Sequence, residues 1–178
     1  MTCDFMGSIG TQPVIEALVN NGKYLVSRGN HESLESFLAF TPKLYLGTTE
    51  YYTFVEDNCF FVCLGYGFDA TKLTWMRQEL QTSVAQNAQW RIAYLHRPIY
   101  SSNPNRNYHG APDFEQECDL GNVNIVYSGH DHLYERSYQI FGQSVVTTAN
   151  DVYAEDGTVY VVTGGGGAGL YDISSQWW

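Results

Sequence analysis

The apolar run Val123 to Tyr127 breaks off at Ser128-Gly129 into His130-Asp131-His132, and that junction constrains the chain more than any other feature. A short apolar run bounded by turn residues reads as a buried strand. The two imidazoles then stand on the loop at its carboxyl end, where α/β sheets present ligands, and Gly129 lets the backbone turn tightly there. Two more stretches share that address. Tyr24 to Ser27 reads as a short strand delivering Arg28-Gly29-Asn30-His31-Glu32. Trp90 to Leu95 is nearly continuous in apolar residues, as a strand buried on both faces would be, and delivers His96. Adjacent strands would bring Asn30, His96, His130 and His132 to one rim of a sheet.

The segments between these strands read as helices and turns. Val14, Ile15, Leu18 and Val19 fall at helical spacing behind Pro13, and Asn21-Gly22 stops that helix. A second helix spans about Ser33 to Phe40 and ends at Thr41-Pro42. Tyr51 to Val55 and Cys59 to Leu64 form a hairpin across Glu56-Asp57-Asn58. Leu73, Met76, Leu80 and Val84 predict one long helix over Thr71 to Ala88. Ser101 to Pro112 is a long polar loop, a candidate lid or substrate contact, followed by a short helix over Asp113 to Cys118. Strands Tyr134 to Ile140, Val145 to Thr148 and Thr158 to Thr163 lead into the tract Gly164 to Gly169. With no repeat and no linker, the strand-loop-helix alternation predicts a single α/β domain over residues 1–178.

Composition excludes some partners. Nine Lys+Arg stand against nineteen Asp+Glu, a formal net charge of −10, so nucleic acid would meet repulsion over most of the surface. No apolar run approaches the ~20 residues that span a bilayer, and no membrane partner or signal segment is legible. An acidic protein that handles phosphate needs local positive charge, which bound cations can supply. The four cysteines show no C-x-x-C spacing. Cys59 and Cys63 would lie about 13 Å apart along one strand, too far for a disulfide, while Cys3 with Cys118 remains open. Core packing is the default reading for all four.

Imidazoles and an amide oxygen are ligands suited to zinc, iron or manganese. Gly29-Asn30-His31-Glu32, then a strand ending in His96, then Gly129-His130-Asp131-His132 resembles the calcineurin-like metallophosphoesterases. The extension through Leu133-Tyr134-Glu135-Arg136, with Gly157 to Thr163 running into the glycine tract, is most similar to the purple acid phosphatase branch. The resemblance implies an α/β fold, a layered sandwich with mixed sheets, and phosphate ester hydrolysis of the acid phosphatase kind. It implies two divalent or trivalent metal ions, iron with zinc, manganese or a second iron. Asn30, His96 and His130 would bind one and His132 the other. It gives His31 a place near the phosphate as a steadying group or acid, and His109 a place on the substrate side. In that mechanism a metal-activated hydroxide attacks phosphorus in line and a histidine protonates the departing alkoxide. Glu32 and Asp131 would orient imidazoles. A secreted or vacuolar/lysosomal location follows from the resemblance alone.

The chain departs from that pattern upstream. The family's Asp-x-Gly and Gly-Asp-x-x-Tyr motifs, which supply further metal ligands, have no counterpart in residues 1–28. Asp119-Leu120-Gly121 fits the first by letter but sits late, as turn chemistry. The expectation is therefore a chain truncated at its amino end, lacking the first β-α-β portion and impaired alone because it supplies only part of the ligand set. Trp177-Trp178 are expected to lack anything to bury them. The alternatives are a non-catalytic metal- or phosphate-binding remnant of the same fold, and a phosphodiesterase. Arg97 before Pro98 either contacts phosphate or caps the loop. Gly164 to Gly169 satisfies G-x-G-x-x-G, but too few residues follow for a dinucleotide unit, so it reads as a close-approach loop near the metal rim.

Overall fold

The computed structural model describes residues 26–40, 50–148 and 157–178. The helix expected over 13–20 and the start of the strand expected at 24–27 lie outside the described residues. The elements run α1 (Leu34–Phe40), β1 (Tyr52–Glu56), β2 (Cys59–Cys63), α2 (Ala70–Leu80), α3 (Ser83–Asn87), β3 (Trp90–Tyr94), α4 (Pro112–Leu120), β4 (Ile125–Ser128), β5 (Tyr134–Phe141), β6 (Ser144–Thr147) and β7 (Thr158–Thr163). The seven strands form one mixed sheet in the order β1-β2-β3-β4-β7-β5-β6. Its centre is parallel, β2 to β3 to β4 to β7, and an antiparallel pairing closes each side, β1 on β2 and β5 with β6 on β7.

Side-chain alternation along the central strands builds a core on each face. Phe60, Val62 and Leu64 around β2, with Ala93 and Leu95 around β3, pack against Met76 and Leu80 of α2 and Phe114 and Cys118 of α4. The intervening Cys63 and Tyr94 point the other way, onto Phe37 of α1 and Tyr52. Helices on both faces explain why these strands carry so few polar residues. Phe114 is fully buried, so its truncation to Ala would cost roughly 3–5 kcal/mol.

Three expectations are corrected. The long helix over 71–88 is two, because Thr82 turns to extended backbone and its hydroxyl accepts from Ala85 N to cap a new turn. The strand beginning near Val123 starts at Ile125. Trp178 is buried, packing on Tyr100 and His109 and donating from its indole to Glu135, while Trp177 stays half exposed.

Parallel pairing decides what happens at one edge. Ile92 to Tyr94 lie beside Ile125 to Tyr127, so the loops leaving β3 and β4 emerge side by side. The end of β2 adjoins on one flank and the end of β7 on the other.

Candidate metal centre

His96 lies two residues past β3 and is fully buried. Its backbone is clamped on both sides: Leu95 N donates to Tyr127 O at 3.1 Å, His96 N to Gly65 O at 2.8 Å, and Gly129 N to His96 O at 3.0 Å. His130 follows Gly129 in the left-handed region at φ 65°, unusual for a side-chain-bearing residue. Two tight reversals hold it there, Asp131 N to Gly129 O at 2.7 Å and Leu133 N to Asp131 O at 2.8 Å. Gly164, at the end of β7, backs directly onto this loop. A Cβ at 164 would fall 2.3 Å from Asp131 O, so the first residue of the glycine tract must lack a side chain. The close-approach reading of the tract holds at Gly164, whereas Gly166, Gly167 and Gly169 have open space around them.

Asn30 arrives on a different loop, and a charged network fixes it. Gly29 N donates to Glu32 Oε2 at 2.9 Å, and Arg28 donates to Glu32 O at 2.9 Å. Arg28 also pairs with Glu50, whose other oxygen takes Lys72 Nζ. Lys72 in turn donates to Leu64 O and Gly67 O, both at 2.8 Å, tying the Asn30 loop to the end of β2 and to α2. Burial pushes the Glu50 carboxyl up, but the hydrogen bonds and charges of Arg28 and Lys72 outweigh it and hold the group below its ordinary value. Beneath this network Tyr52 OH donates to Val26 O at 2.8 Å and Tyr94 OH to Tyr52 OH at 2.7 Å. Burial pushes the neighbouring Cys63 thiol up to about 11.

The three loops meet in a triangle of donor atoms. His96 Nε2 lies 2.7 Å from Asn30 Oδ1 and 3.0 Å from His130 Nδ1, and His130 Nδ1 lies 3.0 Å from Asn30 Oδ1. No protonation state satisfies all three contacts. If one imidazole nitrogen carries a proton, the other faces the amide oxygen lone pair to lone pair; if both do, the two N–H groups oppose each other. A cation drawing on all three lone pairs removes the conflict. Ligands ~2.1 Å from one ion and at right angles around it stand ~3.0 Å apart, which these separations match. The residues therefore fit a metal ion. Among the described residues no three His, Cys, Asp or Glu side chains converge on such a point, so the set is complete only through the Asn30 amide.

The other anticipated residues lie around this triangle rather than in it. His132 stacks on Tyr171 with centroids 4.4 Å apart, and its Nδ1 is 3.2 Å from Gly169 O. His31 is exposed in the turn beside Asn30. His109 is also exposed and packs edge-on against Trp178 at 5.4 Å, while its neighbour Tyr108 approaches His130 at 6.2 Å. Glu32 braces the loop backbone as described. Asp131, expected to orient an imidazole, instead accepts from Ser101 Oγ at 2.6 Å and lies 3.9 Å from Arg106, fastening the His130 loop to the long loop after β3. That loop is largely pinned: Ser101, Ser102 and Asn103 are buried, and Ser101 N reaches back to Tyr108 O at 2.8 Å.

Sequence reasoning missed Glu50, Lys72 and Tyr66. Glu50 belongs to no motif, and its partners stand 22 residues away on either side. Tyr66 follows the glycine that ends β2, stacks on His96 at 5.9 Å, and receives Arg28 and Arg97 over its ring at 5.2 and 5.7 Å. Its only sequence signal is its place at a strand end beside the site.

Comparison with known proteins bears on the family and the fold. Residues 7–134 match the sequence profile of the family described as calcineurin-like phosphoesterase. Purple acid phosphatase 15 of Arabidopsis thaliana is 27% identical over 86% of this chain and 31% of its own length. The protein named Fe(3+)-Zn(2+) purple acid phosphatase 12 of the same plant is 25% identical over 86% of this chain and 38% of its own. A phosphoenolpyruvate phosphatase of Allium cepa is 31% identical over 52% of this chain and 21% of its own. The chain thus spans less than two fifths of the length of each of these relatives. The structure of a purple acid phosphatase from yellow lupin (Lupinus luteus) seeds superposes with a TM-score of 0.70 at 20% identity, covering 92% of this chain and 36% of that one.

Proposed function

The chain belongs to the calcineurin-like phosphoesterase family, and from that premise we propose that it hydrolyses phosphate esters, in the manner of an acid phosphatase, at the Asn30, His96 and His130 triangle. The observation that carries this reading is the unsatisfiable contact among those three donors, which a metal ion resolves. A cation held there would supply positive charge opposite a phosphoryl oxygen and make a neighbouring water more acidic. A relative named for iron and zinc supports those metals for this chain too. His132, two residues along the same loop, is our candidate ligand for a second ion.

The chain's own residues would do the remaining work. His31, exposed beside Asn30, can steady a phosphate oxygen or deliver the proton the leaving alkoxide needs. His109 stands on the loop that Tyr108 brings against His130, and we assign it to the substrate side of the cleft. Glu50, Arg28 and Lys72 keep the Asn30 amide in place, and Asp131 with Ser101 does the same for His130. Relatives named as phosphatases support a phosphate ester substrate. Among the described residues no helix is long and apolar enough to cross a membrane. A secreted or vacuolar location stays a proposal drawn from the family.

Elemental analysis of the purified chain, beside an assay of aryl phosphate hydrolysis, tests the reading. Bound iron, zinc or manganese that falls together with the rate in His130→Ala is the expected result. Equal metal content in wild type and His130→Ala would overturn the assignment.

A further inference from the structure

Beside the donor triangle runs a cleft of about 430 Å³ whose walls include Tyr66, Lys72, Arg97 and Tyr108. The cations of this face are not equivalent. Lys72 donates all three of its hydrogens, to Glu50, Leu64 O and Gly67 O. Arg28 is spent on Glu50 and on the carbonyls of Gly29 and Glu32. Arg97 is held differently. Its Nε donates to Tyr108 OH at 3.1 Å, and its guanidinium lies 5.7 Å from the Tyr66 ring centroid and 5.3 Å from that of Tyr108. Two aromatic rings and one hydrogen bond thus fix the guanidinium, while its two terminal nitrogens carry no hydrogen bond to any described residue. The acids on the cleft wall do not claim them. Glu50 is taken by Arg28 and Lys72, and Asp69 caps α2 by accepting from Lys72 N at 2.9 Å.

The same two rings reach the metal triangle. Tyr66 stacks on His96 at 5.9 Å, and Tyr108 meets His130 edge-on at 6.2 Å. A molecule seated at the triangle and extending into the cleft therefore passes the free edge of Arg97. A guanidinium presents paired N–H groups that match two oxygens of a carboxylate or phosphate, and Arg97 is exposed, so its open edge can be reached from the cleft.

We propose that Arg97 receives a second oxyanion, carried on the leaving group of the ester held at the triangle, so that this chain selects doubly anionic phosphate esters over esters of neutral alcohols. The proposal rests on the reading of the triangle as a phosphate ester site. Carboxylate and phosphate share the recognising chemistry. At a net charge of −10, with surface fields screened beyond ~8 Å at physiological salt, such selection depends on a local cation of this kind.

The test is calorimetric titration of the full chain with phenylphosphonate, 4-carboxyphenylphosphonate and 1,4-phenylenediphosphonate, paralleled by hydrolysis of the corresponding phosphate esters. A charge-assisted bidentate contact should make one or both doubly anionic probes bind about tenfold tighter than phenylphosphonate. The tighter of the two identifies the natural oxyanion. In Arg97→Gln the ratio should fall to about one, and in Arg97→Lys it should recover only in part. Equal binding of all three probes by wild type, or a ratio that survives in Arg97→Gln, overturns the proposal. A ratio that depends on Arg97 in a chain that hydrolyses none of the esters would keep the oxyanion receptor and sink the hydrolase. Hydrolysis without that ratio would do the reverse.

Discussion

Replacing Glu50 with Gln probes the physical basis of the site most directly. The Glu50 side chain is 11% exposed, Lys72 11% and Arg28 17%, so water screens none of the three well. Glutamine keeps the shape but leaves two cations facing a neutral amide. Removing one partner of a buried ion pair costs about 3–5 kcal/mol, and because Lys72 retains two carbonyl partners we take the lower end, about 3 kcal/mol. For a chain of this length that lowers Tm by roughly 6–12 °C at pH 7. The pH dependence fixes the cause. The folded-state pKa of Glu50 lies below the ordinary 4.5, so its contribution is fully present above 4.5 and is lost as pH falls through the depressed value. The gap between wild type and E50Q should therefore be full at pH 7 and close on acidification, since protonated Glu50 then resembles glutamine. Thermal melts followed by circular dichroism from pH 7 down to about pH 3 give both numbers. A gap under ~2 °C at pH 7, or one that persists unchanged at the acid end, would refute the argument.

Three other outcomes are expected. Gly164→Ala places a methyl 2.3 Å from Asp131 O and must displace the His130 loop, lowering metal content by elemental analysis, whereas Gly166→Ala, with open space around it, should not. His96→Ala should cost at least about tenfold in metal affinity, while Cys59→Ala leaves affinity and rate unchanged, as measured by competition with a chromogenic chelator. The buried thiols Cys63, pushed up to about 11, and Cys118, also raised by burial, should resist alkylation at pH 8 and label only after denaturation, with mass spectrometry reading the sites.

Much of the fold was legible because the central strands announce themselves. Phe60 to Cys63, Ile92 to Tyr94 and Val159 to Val162 are apolar on both faces, as only strands covered by helices on each side need to be. The break near Thr82 was hidden, since the apolar spacing Leu80 to Val84 continues through it while the cap is a local hydrogen bond. Trp178 was misread because its partners, Tyr100 and Glu135, are distant along the chain.

Sequence alone determined that His96 and His130 each follow a strand, since hydrophobic runs and turn residues encode strand ends locally. Only the tertiary structure decided that β3 and β4 lie side by side, that three donors then sit 2.7 to 3.0 Å apart in a contact no proton arrangement satisfies, and that His132 stacks on Tyr171. It likewise decided that Glu50 spends Arg28 and Lys72 and so leaves Arg97 as the guanidinium with an open edge on the cleft. Periodicity reports which residues face inward, but charge pairing and donor geometry depend on distances across the sheet, and these exist only once the strands have chosen their neighbours.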